Sequence, residues 1–431
     1  MEIVANKFSK YVTMEKEKII IVGAGVAGLV LARELADDHD VLILEARERT
    51  GGRIHSYREK NFPTIIEAGA EFIHGDLEET LGLLKEAGID YTEVEGDLYD
   101  MDKGRYKKIT MMIEEWDELL KKMKQEEKDM PLYEFLELYF ADDKYKDLRR
   151  HTISYAEGFD VADTKKVSMQ ALYKEWSADE QKNYRIPAGY SALTDFLAER
   201  CLEKNCRILF NEPVKNINWE KNKLSVDTTS GNKYEGTKLV VTVPLGILQH
   251  PTGRASINFN PPVDEQINAA KQIGYGGIVK AELLFKERFW RENTAFIFNH
   301  EIIPTWWTKL PDQTPVLTGW AGGPKAARIN HDAEAPLLEI ALSSLSNIFS
   351  LPVKELEENL KASKIFNWQQ NEWSLGGYSY SMPQSSSARQ FLDEGVQDTI
   401  FFSGEGIYEG DAPGTVEAAI VHAKKTAAKL K

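Results

Sequence analysis

The chain has 431 residues, and its 53 Lys and Arg against 68 Asp and Glu give a formal net charge of −15 with histidine taken as neutral. Hydrophobic residues at 42% and charged residues at 28% are typical of a globular protein and exclude a disordered or fibrous chain. The length predicts two or three domains, and the negative charge argues against nucleic acid or an anionic membrane surface as a partner, which favours cationic partners.

The cysteines of the chain are Cys201 and Cys206, a number that argues against a disulfide scaffold and a four-ligand zinc site. We predict reduced structural thiols and no metal site. The first seventeen residues contain no apolar run of signal-peptide length, and nothing in the chain approaches the roughly 18 uncharged apolar residues of a membrane span. We therefore expect a soluble, cytoplasmic protein with no membrane partner.

A β-α-β pattern begins near the N-terminus. The β-branched run at residues 19–22 suits a buried parallel strand, and Gly23, Gly25 and Gly28 follow it directly. The segment VAGLVLAREL then has apolar residues at helical spacing, and VLILE predicts a second strand that ends in Glu45. The glycines therefore lie at the turn between the first strand and the helix.

These glycines form G-x-G-x-x-G, the pattern of a dinucleotide-binding turn. Gly23 permits a tight turn, Gly25 lets a pyrophosphate approach the backbone, and Gly28 lets the helix pack closely on the strand. The helix N-terminus presents unpaired N–H groups to the phosphates. Glu45, 17 residues beyond Gly28, lies where a carboxylate accepts hydrogen bonds from ribose hydroxyls. The pattern predicts binding of NAD or FAD.

A second glycine pair lies between two arginines, in Arg49-Thr50-Gly51-Gly52-Arg53. Bare backbone at this place can approach a second stretch of diphosphate or the isoalloxazine edge of a flavin, with guanidinium groups nearby to neutralise charge. A glycine turn with surface arginines is the alternative. If this glycine pair binds the cofactor, FAD is favoured over NAD.

Further strand patterns are dispersed along the chain. Residues 239–243 and 399–402 are apolar throughout, and each run leads to a turn that contains Pro or Gly. Residues 278–285 alternate, with every second position from Val279 to Phe285 on one apolar face. The segments that look nucleotide-binding thus lie at the start, middle and end. This arrangement predicts one domain built from separate segments, with a second domain inserted into it twice.

Six motifs of the chain resemble, in family order, those of the flavin-containing amine oxidases, the family of monoamine oxidases, polyamine oxidases and lysine-specific histone demethylases. The resemblance runs from Lys18 to Leu430, and it is much less specific about the substrate than about the superfamily. The motifs are GAGVAGLVLARELADDHDVLILEARERTGGR at 23–53, IIEAGAEFIHG at 65–75, RIPAGYSAL at 185–193, KLVVTVPLGIL at 238–248, GIVKAELLFKERFW at 277–290 and FFSGEGIYEGDAPGTVEAA at 401–419.

Together with the dispersed strands, the resemblance implies an α/β fold, α+β overall. A Rossmann-type FAD-binding domain of discontinuous segments is expected from residues 1–76, 186–260 and 390–431. An inserted substrate-binding domain of mixed sheet and helix is expected from residues 77–185 and 261–389.

The resemblance also implies which residues hold FAD. Glu45 and the three glycines would bind the ADP half, the backbone of Val214 would meet the adenine, and Arg53 would lie near the flavin. Glu405 would bind the ribityl chain, with an ordinary solvated glutamate after a strand as the alternative. The other expected cofactor contacts are Arg47, Gly52 and Val416.

The expected catalytic residues are Lys280, Tyr378 and Thr415. In the family, the lysine in this strand holds a water against flavin N5 and assists the reaction with oxygen; a surface lysine paired with Glu282 is the alternative. Tyr378 resembles one wall of an aromatic cage in front of the flavin, and Thr415 takes the place where monoamine oxidases carry a second tyrosine. Gly377 stands where those enzymes carry the cysteine that bonds FAD, so we predict non-covalent FAD.

The motif around His74 bears on the substrate, and the expected substrate contacts are Phe72, His74 and Tyr378. Amino-acid oxidases of the superfamily have an arginine close to the position of Phe72, and it is missing here. His74 resembles the pocket histidine of polyamine oxidases, although a structural histidine under the flavin domain is the alternative. Three tryptophans could wall an apolar tunnel or belong to the core: Trp306, Trp307 and Trp320.

The implied activity is hydride transfer from an amine CH–NH unit to flavin N5, imine hydrolysis to an aldehyde and an amine or ammonia, and reoxidation by O2 to H2O2. The expected partners are a small polyamine or primary amine and O2, with no nucleic acid. A desaturase or porphyrinogen oxidase, and an FAD-bound interaction module without turnover, are the alternatives. The sequence leaves open which amine reacts, which C–N bond is cleaved and whether the chain forms a homodimer.

Overall fold

The computed structural model describes residues 16–110, 115–178, 182–250 and 252–431. Residues 1–15, which hold most of the segment checked for a signal peptide and the start of the first predicted domain, lie outside the described residues.

The strands are numbered in chain order. They are β1 (Lys18–Val22), β2 (Asp40–Leu44), β3 (Ser56–Tyr57), β4 (Ile66–Glu67), β5 (Phe72–His74), β6 (Thr92–Glu93), β7 (Asp97–Asp102), β8 (Arg105–Ile109), β9 (Asn183–Arg185), β10 (Arg207–Leu209), β11 (Val214–Glu220), β12 (Lys223–Thr228), β13 (Lys233–Gly236), β14 (Lys238–Val241), β15 (Asn258–Asn260), β16 (Gly274–Tyr275), β17 (Ile278–Phe285), β18 (Thr294–Phe298), β19 (Thr305–Thr308), β20 (Val316–Gly322), β21 (Leu360–Asn367), β22 (Ser379–Tyr380) and β23 (Ile400–Phe402).

The helices are numbered in the same way. They are α1 (Val26–Leu35), α2 (Glu78–Ala87), α3 (Trp116–Gln125), α4 (Leu132–Tyr139), α5 (Lys146–Gly158), α6 (Met169–Ala178), α7 (Ser191–Glu203), α8 (Leu245–Gln249), α9 (Asp264–Ala270), α10 (Gly323–Arg328), α11 (Glu334–Phe349), α12 (Val353–Asn359), α13 (Ser385–Glu394) and α14 (Val416–Leu430), with short 3-10 turns at Asp143–Tyr145 and Glu405–Ile407.

A five-stranded parallel sheet in the order β10-β2-β1-β14-β23 joins distant parts of the chain. Its central strands read as continuous apolar runs because both faces are buried, one of them under α1, α7 and α14. The strand order reverses at β1, and the crevice at the carboxyl ends of such strands is where open α/β sheets bind ligands. The predicted α/β class is confirmed, whereas the domain boundaries stay a prediction.

The second large sheet has seven strands in the order β21-β17-β20-β19-β18-β7-β8. The predicted strand at residues 278–285 is present as β17, which pairs with β20 on one side and β21 on the other. All eight residues of β17 are buried, so the face that carries Lys280 is buried as well as the apolar face. One face packs in a hydrophobic core, while the other carries Lys280 and Glu282 into a buried region between the two sheets.

Within the described ranges, no single helix is long and apolar enough to cross a bilayer. Only α11 and α12 together satisfy the length and composition of a span, and the two helices meet at an angle of 114°.

Glu67 is a buried acid whose hydrogen-bond donors among the described residues are neutral groups. Its carboxylate accepts hydrogen bonds from the Ser56 hydroxyl at 2.6 Å and from the Tyr190 backbone N–H at 2.8 Å. Burial is the largest influence, and it raises the pKa of Glu67 to about 7.

We expect Glu67→Gln to reduce the loss of stability at alkaline pH. Because the folded pKa is raised from 4.5 to about 7, the native chain holds a proton that the unfolded chain has released, so the free energy of unfolding falls as pH rises through this window. The full effect is about 3 kcal/mol. Chemical denaturation at pH 5 and pH 8 measures it, with the exposed Glu235→Gln as control. Equal pH dependence of Glu67→Gln and wild type would contradict this assignment.

Candidate active site

A cavity of about 1720 Å³ extends from the carboxyl ends of the parallel strands to the seven-stranded sheet. Pockets for a small molecule have about 300–1,000 Å³, so this cavity has room for a dinucleotide and a substrate together. Gly25 and Gly52 line the cavity from the loops that follow β1 and β2. Lys280 and Trp307 line it from β17 and β19 of the seven-stranded sheet.

The glycine-rich turn after β1 has the geometry that its sequence predicts. Gly23 has φ of +107°, a conformation that favours glycine. A Cβ on Gly28 would lie 2.0 Å from the carbonyl oxygen of Gly23, so the close packing of α1 on β1 requires glycine. A Cβ on Gly25 would meet no protein atom within 4 Å, because this glycine borders the cavity. The turn therefore leaves room for a ligand at Gly25.

Glu45 holds this turn from the end of β2. One carboxylate oxygen accepts a hydrogen bond from the Ala24 N–H at 2.7 Å, and the other accepts from the Arg47 N–H at 2.9 Å. Glu45 is buried and lines the cavity. Gly25 is the N-cap residue of α1 and has no side chain that could cap the helix. The first N–H groups of α1 are therefore available to phosphates.

The second glycine pair is held by its own arginine. Arg49 donates hydrogen bonds to the carbonyl oxygens of Thr50, Gly52 and Ile54, at 2.8, 2.9 and 3.1 Å. Burial lowers the pKa of Arg49 to about 10, with the neighbouring charge of Arg47 adding to the effect. The alternative of surface arginines is therefore wrong for Arg49.

Arg53 and Glu405 form an ion pair beside the cavity, with Nη1 2.8 Å from Oε2. The same nitrogen donates to the Gly377 carbonyl oxygen at 2.7 Å. The other oxygen of Glu405 accepts from the backbone N–H and the hydroxyl of Ser379, at 2.8 and 2.5 Å. Because Glu405 is buried and fully paired, it is not the solvated glutamate of the alternative interpretation.

The remaining predicted cofactor contacts also border the cavity. Val214 begins β11, Val416 begins α14, and Arg47 donates to the Asn371 side chain at 2.7 Å. The glycines, helix N-termini and paired acids together fit a dinucleotide that carries two phosphates and ribose hydroxyls. Their individual roles stay predictions.

Lys280 is fully buried and lines the cavity. Its Nζ lies 2.6 Å from Oε2 of Glu71, 3.3 Å from the Gly69 carbonyl oxygen and 5.4 Å from the centre of the Trp307 ring. Glu282 is farther away, at 3.9 Å. The alternative of a surface lysine paired with Glu282 is therefore wrong.

Glu71 is a site residue that the sequence reasoning missed. Its Oε1 lies 2.9 Å from Arg185 and 3.1 Å from Lys309, while Lys309 also contacts Glu282 at 3.1 Å. We call these five residues the buried charge cluster: Glu71, Glu282, Lys280, Lys309 and Arg185. Although burial opposes ionisation, the charges of Lys280, Lys309 and Arg185 lower the pKa of Glu71 well below its usual value. The signal available in the sequence was an acid within an otherwise apolar motif, AEFIHG.

Tyr378 forms an aromatic wall of the cavity. Its hydroxyl donates a hydrogen bond to the Phe159 carbonyl oxygen, and its ring stacks on Trp320 with centroids 6.5 Å apart and planes at 23°. Burial raises the pKa of Tyr378 well above its usual value, and nearby carboxylates including Asp160 add to the effect. The hydroxyl therefore stays protonated.

Thr415 lies at the cavity as the N-cap residue of α14. Its hydroxyl donates to the Ala412 carbonyl oxygen at 2.7 Å and accepts from the Ala418 N–H at 3.1 Å. Because helix capping occupies this hydroxyl, Thr415 is a structural element of the cavity wall as well as a candidate substrate contact.

The aromatic end of the cavity is formed by residues from both β5 and the large sheet. Phe72 packs near Trp307, with ring centroids 5.4 Å apart, and His74 packs near Phe159 at 5.0 Å. The Nδ1 atom of His74 lies 2.6 Å from the Asn183 side-chain oxygen.

The predicted tryptophans divide between cavity and core. Trp307 and Trp320 line the cavity, whereas Trp306 is fully buried in the core.

Two acids that the sequence reasoning did not single out also line the cavity, Asp160 and Glu175. Asp160 is buried after α5 and accepts a hydrogen bond from the Trp176 indole N–H at 3.2 Å. Glu175 lies on α6, and both carboxylates are close enough to Tyr378 to influence its pKa. The cavity therefore carries negative charge near its aromatic wall.

Asp100, His151 and His300 form a group of potential metal ligands among the described residues, with ligand atoms within 4.8 Å of one another. None of the three lines the cavity. Burial lowers the pKa of His300, and the charges of Arg150 and Lys325 act in the same direction. Because those positive charges also oppose a cation, we assign no metal to this group.

Comparisons with known proteins agree with this arrangement. The family model for flavin containing amine oxidoreductases matches residues 26–431. The chain is 28% identical over 463 residues to lysine-specific histone demethylase 2 of Homo sapiens, which covers 96% of this chain and 53% of the relative. It is 25% identical over 450 residues to polyamine oxidase 4 of Oryza sativa subsp. japonica, with 93% and 86% covered. The chain spans about half the length of that demethylase.

Solved structures have the same fold. A putrescine oxidase bound to putrescine superposes with a TM-score of 0.78 at 20% identity, covering 96% of this chain and 99% of that chain. Cyclohexylamine oxidase from Brevibacterium oxydans gives a TM-score of 0.77 at 19% identity, with 96% and 99% covered.

We expect Gly28→Ala to lower the stability of the fold and Gly25→Ala to lower the binding of the cofactor. The methyl group of Gly28→Ala meets the Gly23 carbonyl oxygen at 2.0 Å and should lower the stability of the cofactor-free chain by about 1–3 kcal/mol. Gly25 has φ of −68° and open space beside it, so Gly25→Ala should keep that stability but release the cofactor. Denaturation of the cofactor-free protein and the bound cofactor per chain measure the two effects. Full cofactor retention by Gly25→Ala would contradict the assignment of this turn.

Proposed function

Because the chain belongs to the flavin-containing amine oxidoreductases, we propose that it oxidises diamines or polyamines with O2 as the electron acceptor. The observation that carries this proposal is that one cavity brings Lys280 and Tyr378 together with the carboxylates of Asp160 and Glu175. The carboxylates lie near the aromatic wall, where they suit a second, positively charged nitrogen of the substrate.

The cofactor is FAD, held without a covalent bond. The residue before Tyr378 is Gly377, which offers no side chain for attachment. Cys201 and Cys206 are buried, and their thiols lie against carbonyl oxygens of α1.

When bound, FAD supplies a hydride acceptor for the carbon next to the substrate nitrogen. Loss of the hydride and of the nitrogen-bound proton from the neutral amine leaves an imine, which water hydrolyses to an aldehyde and an amine or ammonia. Two electrons and two protons then convert O2 to H2O2, which balances the oxidation of the amine.

The aromatic wall orients the reacting nitrogen and favours its neutral form. An alkylammonium has a pKa of about 10.4, so deprotonation at pH 7 requires about 4.6 kcal/mol in water. Burial among Tyr378, Trp320 and Phe159 disfavours the charged form and lowers that requirement. The protonated hydroxyl of Tyr378 is fixed on the Phe159 carbonyl oxygen, so the ring keeps one orientation.

Asp160 and Glu175 suit the nitrogen that does not react. A hydrogen bond to a charged group contributes about 1.5–3 kcal/mol, which corresponds to about 10-fold to 100-fold in affinity. The net charge of −15 also raises the concentration of protonated amines near the protein. Relatives named polyamine oxidase and a structural neighbour bound to putrescine support this substrate class.

The oxygen reaction depends on Lys280 in this proposal. We expect Lys280→Met to slow reoxidation by O2 by at least about 10-fold and to leave FAD bound and the reduction by amine unchanged, because the ammonium is buried beside the cavity. Stopped-flow absorbance of the flavin separates the two half-reactions. Wild-type reoxidation by this variant would remove Lys280 from the mechanism.

An anaerobic screen tests the substrate class. Flavin reduction is followed with putrescine, spermidine and spermine, with an arylalkylamine, and with a methylated-lysine peptide, which represents the histone demethylase relatives. We expect reduction by the diamine or polyamines. Reduction by the peptide or the arylalkylamine alone, or by none of these compounds, would overturn the proposal. Product analysis for a new C=C bond separates a desaturase.

Asp160→Asn sharpens this test. It removes one negative charge but keeps an oxygen that accepts from Trp176. We expect kcat/KM for the diamine or polyamine to fall about 10-fold and kcat/KM for any monoamine that reacts to change little. Asp163→Asn, outside the cavity lining, is the matched control. Equal losses for both substrate types would assign Asp160 a structural role.

A further inference from the structure

We propose that Glu71 is the positioning residue for Lys280 in the oxygen reaction: its carboxylate holds the Lys280 ammonium so that one N–H bond faces the cavity. The inference rests on the proposed function, because it concerns the reoxidation of the same bound flavin.

The contacts of Lys280 account for two of its three N–H bonds. An ammonium has three donors. Glu71 accepts one at 2.6 Å, and the Gly69 carbonyl oxygen accepts a second at 3.3 Å. Both acceptors belong to one short segment, so they fix rotation about the bond to Nζ. Since Lys280 also lines the cavity, the third N–H bond is the donor that can reach a water or oxygen there.

Glu71 is itself fixed by the rest of the buried charge cluster. Its Oε1 accepts from Arg185 at 2.9 Å and from Lys309 at 3.1 Å, which leaves Oε2 for Lys280. Arg185 is anchored in turn on the Thr308 and Leu310 carbonyl oxygens, at 3.1 and 2.6 Å. The two carboxylate oxygens of Glu71 thus accept from different partners. Rotation of the carboxylate away from Lys280 would also break the contacts with Arg185 and Lys309.

The charges of the cluster give it a positive surplus. Three cations face two carboxylates, so the cluster carries a net charge of +1 when all five groups are ionised. Positive charge beside the cavity stabilises negative charge that develops on oxygen as it takes up electrons. Because Glu71→Gln raises the cluster charge to +2, slower reoxidation in this variant reports lost positioning of Lys280 and not lost positive charge. Formation of H2O2 from O2 takes two electrons, which bound FAD would supply in its reduced form, and two protons. Lys280 would donate a hydrogen bond to the oxygen without forming a covalent bond.

The test compares Glu71→Gln and Glu71→Asp with Glu67→Gln. Glu67 is a buried carboxyl group four positions earlier that accepts hydrogen bonds from Ser56 and Tyr190, so its variant controls for removing a buried acid. Each purified holoprotein is reduced with dithionite and mixed with O2, a measurement that needs no amine substrate.

We expect Glu71→Gln to slow reoxidation about 10-fold to 100-fold, Glu71→Asp to give an intermediate rate, and Glu67→Gln to match wild type. Bound FAD per chain should stay the same in all of them. Wild-type reoxidation of Glu71→Gln would overturn the inference, as would an equal loss in Glu67→Gln.

A double variant identifies action through Lys280. If Glu71 acts only by positioning Lys280, Glu71→Gln should add no further loss to Lys280→Met. If Glu71→Gln alone is unstable, the double variant, which keeps the net charge of the cluster at +1, is compared directly with Lys280→Met. A further loss of the same size would overturn the positioning role. Failure of the amine screen would instead reject the proposed substrate class and leave this result standing.

Discussion

The ion pair between Arg53 and Glu405 joins positions 352 residues apart along the chain and connects two parts of the cavity lining. The same Arg53 nitrogen binds the Gly377 carbonyl oxygen, and the second oxygen of Glu405 binds Ser379. Tyr378 lies between those two residues, so its backbone is held from both sides by the pair. A buried charge left without its partner costs about 3–5 kcal/mol. The position of the Tyr378 ring therefore depends on the ion pair that joins Arg53 to Glu405 beside the cavity.

Sequence reasoning reached the parts of the site that local contacts define. The roles of Gly23, Gly25, Gly28 and Glu45 follow from one β-α-β unit, in which strand, turn and helix restrict each residue. Lys280 emerged only through a family resemblance, and the contacts of Glu71 lie 114, 209 and 238 residues away along the chain. No spacing pattern encodes such pairs. The alternation in β17 identified the strand and its apolar face, but it could not show that the second face is also buried, because distant segments cover that face.

Two acids four residues apart illustrate how partners decide ionisation at equal burial. Glu67 contacts a hydroxyl and a backbone N–H, and burial raises its pKa. Glu71 contacts three cations, and their charges lower its pKa despite the same desolvation. One motif thus contains an acid that is protonated in part at neutral pH and an acid that is always charged. Composition and spacing treat both as the same residue type, so the difference exists only in the folded chain.

The capping role of Thr415 limits how this active site could evolve. Its hydroxyl both starts α14 and faces the cavity, whereas the monoamine oxidases carry tyrosine at the corresponding place. A tyrosine cannot accept the Ala418 N–H as a cap, and loss of an N-cap costs about 1 kcal/mol. A lineage that exchanged the small residue for a second aromatic ring would need a compensating change at the start of the helix. A change at this single position would therefore alter the start of the helix and the cavity lining together.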